Sequence, residues 1–223
     1  MIRDGQYQKA KEFLVKYQKA PGMTPDQRIT LIVDYAACCF RLGDLDKGVG
    51  KLEELYRKGP NGLIYQTLGY LYVEQYDPAR KEEFLRKAAE KAAREAAEKA
   101  EREAARAASV AETAEKAETA EKEENGGEDA DAAKVNASEA EALGSELTPE
   151  GQWEAGRQKV LAFNQEAVDY DEEDSIVLDN LGQTWYRVME NPAEAKPWFE
   201  KAIAVKPDQI DTLYFLSRYD LEA

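Results

Sequence analysis

Two segments of the chain carry the same helical stripe of large side chains interrupted by a glycine. In the first segment the stripe consists of Tyr65, Leu68, Gly69 and Tyr72. In the second it consists of Leu178, Leu181, Gly182 and Trp185. Both follow the i, i+3, i+4, i+7 spacing of one helix face. Because the glycine lacks a side chain, a second helix can approach closely there while the large neighbours pack around it. The stripes therefore predict helices packed in pairs.

Each stripe is followed by a short turn and a second amphipathic segment. A weaker version of the stripe occurs earlier in the chain, at Ile32, Tyr35, Ala36 and Cys39. The second segment of the first unit carries Gly48, Leu52 and Leu55 and ends near Pro60, and that of the last unit carries Ala195, Phe199 and Ala202 and ends near Pro207. The unit is a helical hairpin of about 34 residues, a period typical of repeat architectures.

The last unit resembles the tetratricopeptide repeat family. The residues that carry the resemblance are Leu178, Leu181, Gly182, Trp185, Ala195, Phe199, Ala202 and Pro207, with one extra residue in the turn Met189 to Pro192. The first unit departs from the family pattern at Ala36, Cys39 and Gly48, and the middle unit at Lys81. The resemblance implies an all-α fold, a right-handed superhelical solenoid of antiparallel helix pairs. It gives packing roles to Gly69, Gly182, Ala195, Ala202 and Trp185.

A long charged insertion separates the two glycine stripes. One repeat accounts for about 34 of the 113 positions between Leu68 and Leu181, so most of the remainder is extra. From residue 87 to 109 there is no Leu, Ile, Val or aromatic residue, which indicates a helix rich in Ala, Glu and Lys with no core-facing stripe. Residues 110–150 hold 13 acids and 3 bases and contain Asn125-Gly126-Gly127, which predicts a mobile acidic loop.

Two segments compete to be the second helix of the middle repeat. Pro78 to Glu90 follows the first helix directly, whereas Pro149 to Tyr170 follows the insertion and has the better apolar stripe. We favour the later segment for the packed position. The earlier one is expected to begin as a packed helix through Phe84, Leu85 and Ala88 and then to continue into solvent.

The predicted organisation is as follows: 1–22, the second helix of a truncated repeat; 28–60, repeat 1; 61–90, the first part of repeat 2; 91–147, the charged insertion, partly helical and then disordered; 148–174, the helix completing repeat 2; 175–207, repeat 3; and 208–223, the start of a further repeat or a terminal helix. The last segment is apolar on all sides. Either the two end segments pack on another copy of the chain, or the sequence is a piece of a longer array. We favour the second explanation.

The composition argues against several classes of function. The formal charge of -15 disfavours binding to nucleic acid, and the absence of histidine removes the commonest general base and metal ligand. The sequence contains no run of 18 apolar residues, so it predicts no membrane span in this chain. The adjacent Cys38 and Cys39 suggest two buried thiols in a reducing compartment, the cytoplasm. The acidic stretch from Asp169 to Asp174 lacks the glycine and the bidentate glutamate of a calcium loop, so we expect no metal, no cofactor and no enzymatic activity.

The resemblance implies a function as a protein-interaction scaffold, since stacked helix pairs form a concave groove. The groove positions that it implies are Asp34, Ala37, Arg41, Gln66, Tyr70, Glu74, Asp179, Asn180, Gln183, Tyr186, Arg187 and Tyr219. Family members that bind chaperones hold a terminal carboxylate with Lys, Asn and Arg, of which only Asn180 is present here. Because Asp34 and Asp179 would repel a carboxylate, the predicted partner is a neutral or basic peptide or protein.

Three alternatives stay open. Tyr70 and Tyr186 could be half-buried packing residues and not binding residues. The chain could be an assembly module that forms a homo-oligomer. It could also be the regulatory repeat region of a larger enzyme or membrane-anchored protein.

Overall fold

The computed structural model describes residues 1–18, 20–120 and 148–221, with the side chains of 107–120, 220 and 221 excepted. The described residues form nine α-helices and no β-strand, which confirms the prediction of an all-α fold for this part of the chain. The helices are α1 Tyr7–Tyr17, α2 Pro25–Arg41, α3 Leu45–Tyr56, α4 Gly62–Gln75, α5 Lys81–Ala120, α6 Pro149–Tyr170, α7 Ser175–Gln183, α8 Pro192–Val205 and α9 Ile210–Leu221. None of the helices in these ranges has both the length and the apolar character needed to cross a membrane.

Side-chain caps fix where several helices begin. At the start of α2, Thr24 accepts a hydrogen bond from the backbone N–H of Gln27 while the Gln27 side chain accepts one from the Thr24 N–H. This reciprocal pair satisfies two of the backbone donors that a helix start leaves without partners. At the starts of α4 and α7, the side chains of Asn61 and Asp174 also accept hydrogen bonds from backbone N–H groups of the first turn, without the reciprocal bond. The helix boundaries therefore follow from local sequence.

Residues Met1–Glu82 and Gln152–Ala223 form one compact unit. Within it, each helix from α1 to α3 contacts the helix that follows it, and α8 contacts both α7 and α9. In addition, α4 contacts both α2 and α7, so α2, α4 and α7 lie side by side. The core between these helices includes Leu52, Leu68, Val160 and Leu181, all fully buried.

Helix α6 packs against α4 in this unit. The ring of Phe163 contacts the rings of Tyr65 and Tyr72 of α4 and of Tyr56 of α3, with centroid distances of 5.5, 5.1 and 5.3 Å. Aromatic contacts at these distances add about 0.5–1.5 kcal/mol each beyond the area they bury. Thus the helix after the insertion, Pro149–Tyr170, lies on the helix before it.

Residues Glu83–Gly151 form the second unit, whose described part is most of α5. Phe84, Leu85 and Ala88 are half-buried, and every residue from 89 to 106 is exposed. Ion pairs one helical turn apart, such as Arg86 with Glu90 at 2.9 Å, support the exposed helix by a few tenths of a kcal/mol each. The helix extends to Ala120, ten residues past Val110, where the sequence predicts the acidic loop to begin. The rest of that predicted loop, 121–147, lies outside the described residues.

The resemblance places one extra residue in the turn Met189 to Pro192, whereas the structure widens the helix just before that turn. Residues Thr184–Val188 form a π-helical turn that directly continues α7. The backbone N–H of Met189 donates to the carbonyl of Thr184, five residues earlier, at 2.9 Å. A π turn is how a helix absorbs one inserted residue without losing its axis. The chain then leaves the helix through Glu190, which has a positive φ of 55°.

Candidate functional site

The two stripe glycines lie where a side chain of a neighbouring helix fills their space. A Cβ atom at Gly182 would lie 2.6 and 2.7 Å from two carbons of the fully buried Phe199 ring of α8. A Cβ atom at Gly69 would collide with the side-chain oxygen of Asn164 in α6 and lie 3.2 Å from the amide nitrogen of Asn180 in α7. Carbon atoms do not approach other heavy atoms this closely. Both glycines therefore mark points of close helix contact.

The other residues for which the sequence predicts a packing role lie nearby. Ala195 and Ala202 on α8 are fully buried, and Trp185 is half-buried against both apolar clusters of the core.

A short buried series of hydrogen bonds joins α6, α7 and α4 beside Gly69. The Asn164 amide donates to the Thr184 hydroxyl at 3.0 Å, and that hydroxyl donates to the backbone carbonyl of Asn180 at 2.8 Å. The Asn180 amide in turn donates to the backbone carbonyl of Gln66 at 2.8 Å. Because buried polar groups are stable only when they have partners, these bonds fix the relative position of the three helices. Asn180, predicted as a groove residue, thus also has a structural role.

On α2, the predicted groove residues Asp34 and Ala37 are half-buried and Arg41 is exposed. Burial raises the pKa of the Asp34 carboxyl. The guanidinium of Arg41 lies 5.6 Å from the ring centroid of Phe40, and that ring meets the ring of Tyr70 edge-on at 5.7 Å. The contact between Phe40 and Tyr70 joins the predicted faces of α2 and α4.

Glu74 and Arg187, both predicted to bind a partner, bind each other. Arg187 donates to Glu74 at 2.8 Å, to Asp77 at 2.7 and 3.0 Å, and to the side-chain oxygen of Gln183 at 3.0 Å. Only 21% of the Arg187 side chain is exposed, and 16% of the Glu74 side chain. Since the guanidinium is already bound to three side chains, it fastens the π turn to the end of α4.

Tyr186 and Tyr219 lie in an aromatic cluster between the π turn, α8 and α9. The Tyr186 ring contacts the rings of Phe215 at 5.3 Å and Tyr219 at 5.9 Å, and Phe199 stacks on Phe215 at 5.1 Å. The Tyr219 hydroxyl donates to the carbonyl of Pro192 at 2.8 Å. In this arrangement both tyrosines pack α9 onto the last repeat.

Four predicted groove residues come together around one cavity of about 360 Å³. Tyr70 comes from α4, and Asp179, Asn180 and Gln183 come from α7. The start of α9 and the turn before it also line the cavity, and none of the residues there is a predicted groove position. A cavity of this volume is at the lower end of the range for ligand sites in proteins.

Asp179 is the buried acid of this cavity, with 5% of its surface exposed. Its two carboxylate oxygens accept separate hydrogen bonds, from the Thr212 hydroxyl at 2.6 Å and from the Gln183 amide at 2.7 Å. Burial raises the pKa of the Asp179 carboxyl, while these two hydrogen bonds favour the charged form. The carboxylate is therefore held in one orientation at the cavity wall.

The residues that the sequence analysis missed lie on α9 and the turn before it. Thr212 and Gln209 approach α7 from 33 and 34 positions further along the chain. These separations are close to the period of about 34 residues that the sequence predicts. In the predicted array, residues one period apart on successive first helices would be neighbours, and this is the signal that could have found them.

The acidic stretch Asp169 to Asp174 and the two cysteines have local structural explanations. Asp174 caps α7, and the Asp171 side chain accepts a hydrogen bond from the backbone N–H of Glu173. Cys38 and Cys39 are free, buried thiols, and burial raises the pKa of Cys38. Within residues 1–18, 20–120 and 148–221, no three His, Cys, Asp or Glu side chains are placed to hold a metal ion.

Comparison of the chain with known protein families, curated proteins and solved structures finds no match.

Proposed function

We propose that the protein is a non-enzymatic interaction scaffold that binds an extended peptide segment of a protein partner. The face formed by α2, α4, α7 and the start of α9 would be the binding surface. In this proposal the helix pairs are tetratricopeptide-like repeats stacked into a right-handed solenoid, and the binding face is the concave groove. The side-by-side contacts of α2, α4 and α7 support that arrangement.

The observation that carries the proposal is the cavity beside Tyr70. It is bounded by one aromatic ring and by the amide side chains of Asn180, Gln183 and Gln209. An aromatic surface with amide hydrogen-bonding groups suits the backbone and side chains of a peptide in extended conformation. By contrast, the charged groups around Arg187 are bound to each other and offer little to a charged ligand. A neutral or basic peptide is the partner class that these groups favour.

The compartment that we propose is the cytoplasm. Two adjacent buried thiols, Cys38 and Cys39, are stable as free cysteines in a reducing environment.

Selection from a random peptide library tests the proposal directly. Random dodecapeptides displayed on phage would be panned against the full chain, and enriched peptides synthesised and measured by fluorescence anisotropy. We expect Tyr70→Ala to weaken binding about tenfold, since aromatic residues dominate such interfaces. Tyr170→Ala, which removes an exposed tyrosine on α6, is the matched control and should leave the affinity unchanged. Failure to enrich any peptide, or equal affinity for the wild type and Tyr70→Ala, would refute the proposed function.

Self-association is the second candidate. Helix α9 exposes 79% of Ile210, 56% of Tyr214 and 45% of Leu213, an apolar surface of the kind found at interfaces. Light scattering over a dilution series separates the candidates, because a monomer at every concentration would exclude an oligomer.

A further inference from the structure

We propose that the cavity between α4, α7 and the start of α9 binds the positively charged side chain of a lysine or arginine in the partner. This inference rests on the proposed function and specifies what the peptide must carry.

Each of the three amide side chains that line the cavity uses its nitrogen to donate a hydrogen bond within the protein. The amide nitrogen of Asn180 donates to the Gln66 carbonyl, that of Gln183 to Asp179, and that of Gln209 to the Ser175 carbonyl. The side-chain oxygen of Gln209 is buried and accepts no hydrogen bond from the described residues. A buried acceptor without a donor is unfavourable, so a ligand that brings donors would satisfy it.

The charge of the cavity is negative. The lining contains three carboxylates and one ammonium group, those of Asp179, Asp208, Asp211 and Lys206. Three negative charges and one positive charge give a formal charge of -2. The helix macrodipole is a sufficient reason for an acid at Asp211, in the first turn of α9. Asp179 lies in the middle of α7, where the helix macrodipole does not favour an acidic residue.

Together these features favour a ligand group that donates hydrogen bonds and carries positive charge. Among protein side chains only the ammonium of lysine and the guanidinium of arginine meet that description at neutral pH. The carboxylates are not grouped closely enough to hold a metal ion within the described residues, which favours an organic cation.

The rim of the cavity fits the remainder of such a side chain. Ile176 and Ile210 line it with 40% and 79% of their surfaces exposed, and the half-buried Tyr70 of α4 lines it as well. Lysine and arginine place their methylene chains along apolar surface while the charged group reaches a polar site. The apolar rim and the acceptor-lined floor therefore match the two parts of one long basic side chain.

An amino-acid derivative tests the inference without knowledge of the partner. Nα-acetyl-arginine amide would be titrated into isotope-labelled full-length protein while the side-chain amide NMR signals of Asn180, Gln183 and Gln209 are followed. We expect saturable shifts of these signals in the millimolar range, and at least tenfold weaker binding of the uncharged analogue Nα-acetyl-citrulline amide. Equal binding of the two compounds, or no shift with either, would overturn the inference.

Two variants locate the effect. Asp211→Asn removes a charge from the cavity and is expected to weaken acetyl-arginine amide at least threefold, whereas Asp169→Asn removes an exposed charge on α6 and should not. Equal effects of the two variants would show that only the net charge matters and would overturn the site.

If acetyl-arginine amide binds as expected but no library peptide does, the proposed function fails alone. If peptides bind through Tyr70 and their affinity is unchanged when arginine is replaced by citrulline, the inference fails alone.

Discussion

Replacing Gly182 by leucine is expected to lower the free energy of unfolding by about 2 kcal/mol or more. The new Cβ atom alone would lie 2.6 Å from the Phe199 ring, and that ring is fully buried in contact with Phe215, so it has little room to move. Overpacking of this kind costs typically about 1–3 kcal/mol, and the added γ and δ carbons place leucine in the upper part of that range. The better helix propensity of leucine offsets less than about 1 kcal/mol. Urea unfolding followed by circular dichroism measures the net effect.

Gly50→Ala is the matched control for this prediction. Gly50 also lies within a helix, but a Cβ atom there would have no neighbour within 4 Å. Alanine should therefore stabilise the protein by about 0.5–1 kcal/mol through helix propensity alone. A Gly182→Leu protein as stable as the wild type would mean that α7 and α8 are not in close contact at this residue.

Replacing Arg187 by methionine is expected to lower the free energy of unfolding by about 2 kcal/mol. Methionine keeps the unbranched apolar part of the side chain but removes the guanidinium that binds Glu74 and Asp77. The two carboxylates are then left half-buried near each other without their counter-ion. Breaking a fully buried pair costs about 3–5 kcal/mol, and the partial exposure of this site, 16–24% for the two acids, reduces the expected value.

The control is Arg218→Met on α9. Arg218 lies over the rings of Tyr186 and Tyr214, at 5.7 and 5.9 Å, and makes no ion pair with an acidic side chain of the described residues. Its replacement should lower stability much less than the Arg187 replacement does. Equal losses for the two variants would contradict a specific role of Arg187 in joining the π turn to α4.

Local pattern was sufficient to predict the helices and their contact points. The spacing of large residues around Gly69 and Gly182 gives the buried face of α4 and of α7. These features depend on side chains within one or two turns of each other, so they can be read directly from the sequence.

Features that depend on partners far along the chain could not be predicted in the same way. The π turn at Thr184–Val188 is one example, since an extra residue can be absorbed either in a helix or in the following turn. The pairing of Arg187 with Glu74 is another, because 113 positions separate them and only the packing of α7 on α4 brings them together. Because this contact depends on that packing, the resemblance implies groove positions for both residues without indicating that they bind each other.

The candidate site shows the same division between what local pattern indicates and what depends on residues far along the chain. The groove positions that the resemblance implies include Tyr70, Asp179, Asn180 and Gln183, which line the cavity. The resemblance did not separate them from Tyr186 and Tyr219, whose rings are engaged in the cluster with Phe215. That difference arises from the packing of α9, which no pattern within the repeat encodes.

A double-mutant cycle at Gly69 and Asn164 tests the central claim, that the helix after the insertion nests against the helix before it. Gly69→Ala in the wild type places a methyl group against the Asn164 side chain and should cost about 1–2 kcal/mol. In the Asn164→Ala background that obstacle is absent and only the Asn180 amide nitrogen stays close, at 3.2 Å, so the same change should cost much less. The account predicts a coupling of about 1 kcal/mol or more from urea unfolding of the four proteins. Effects that add within about 0.5 kcal/mol would contradict it.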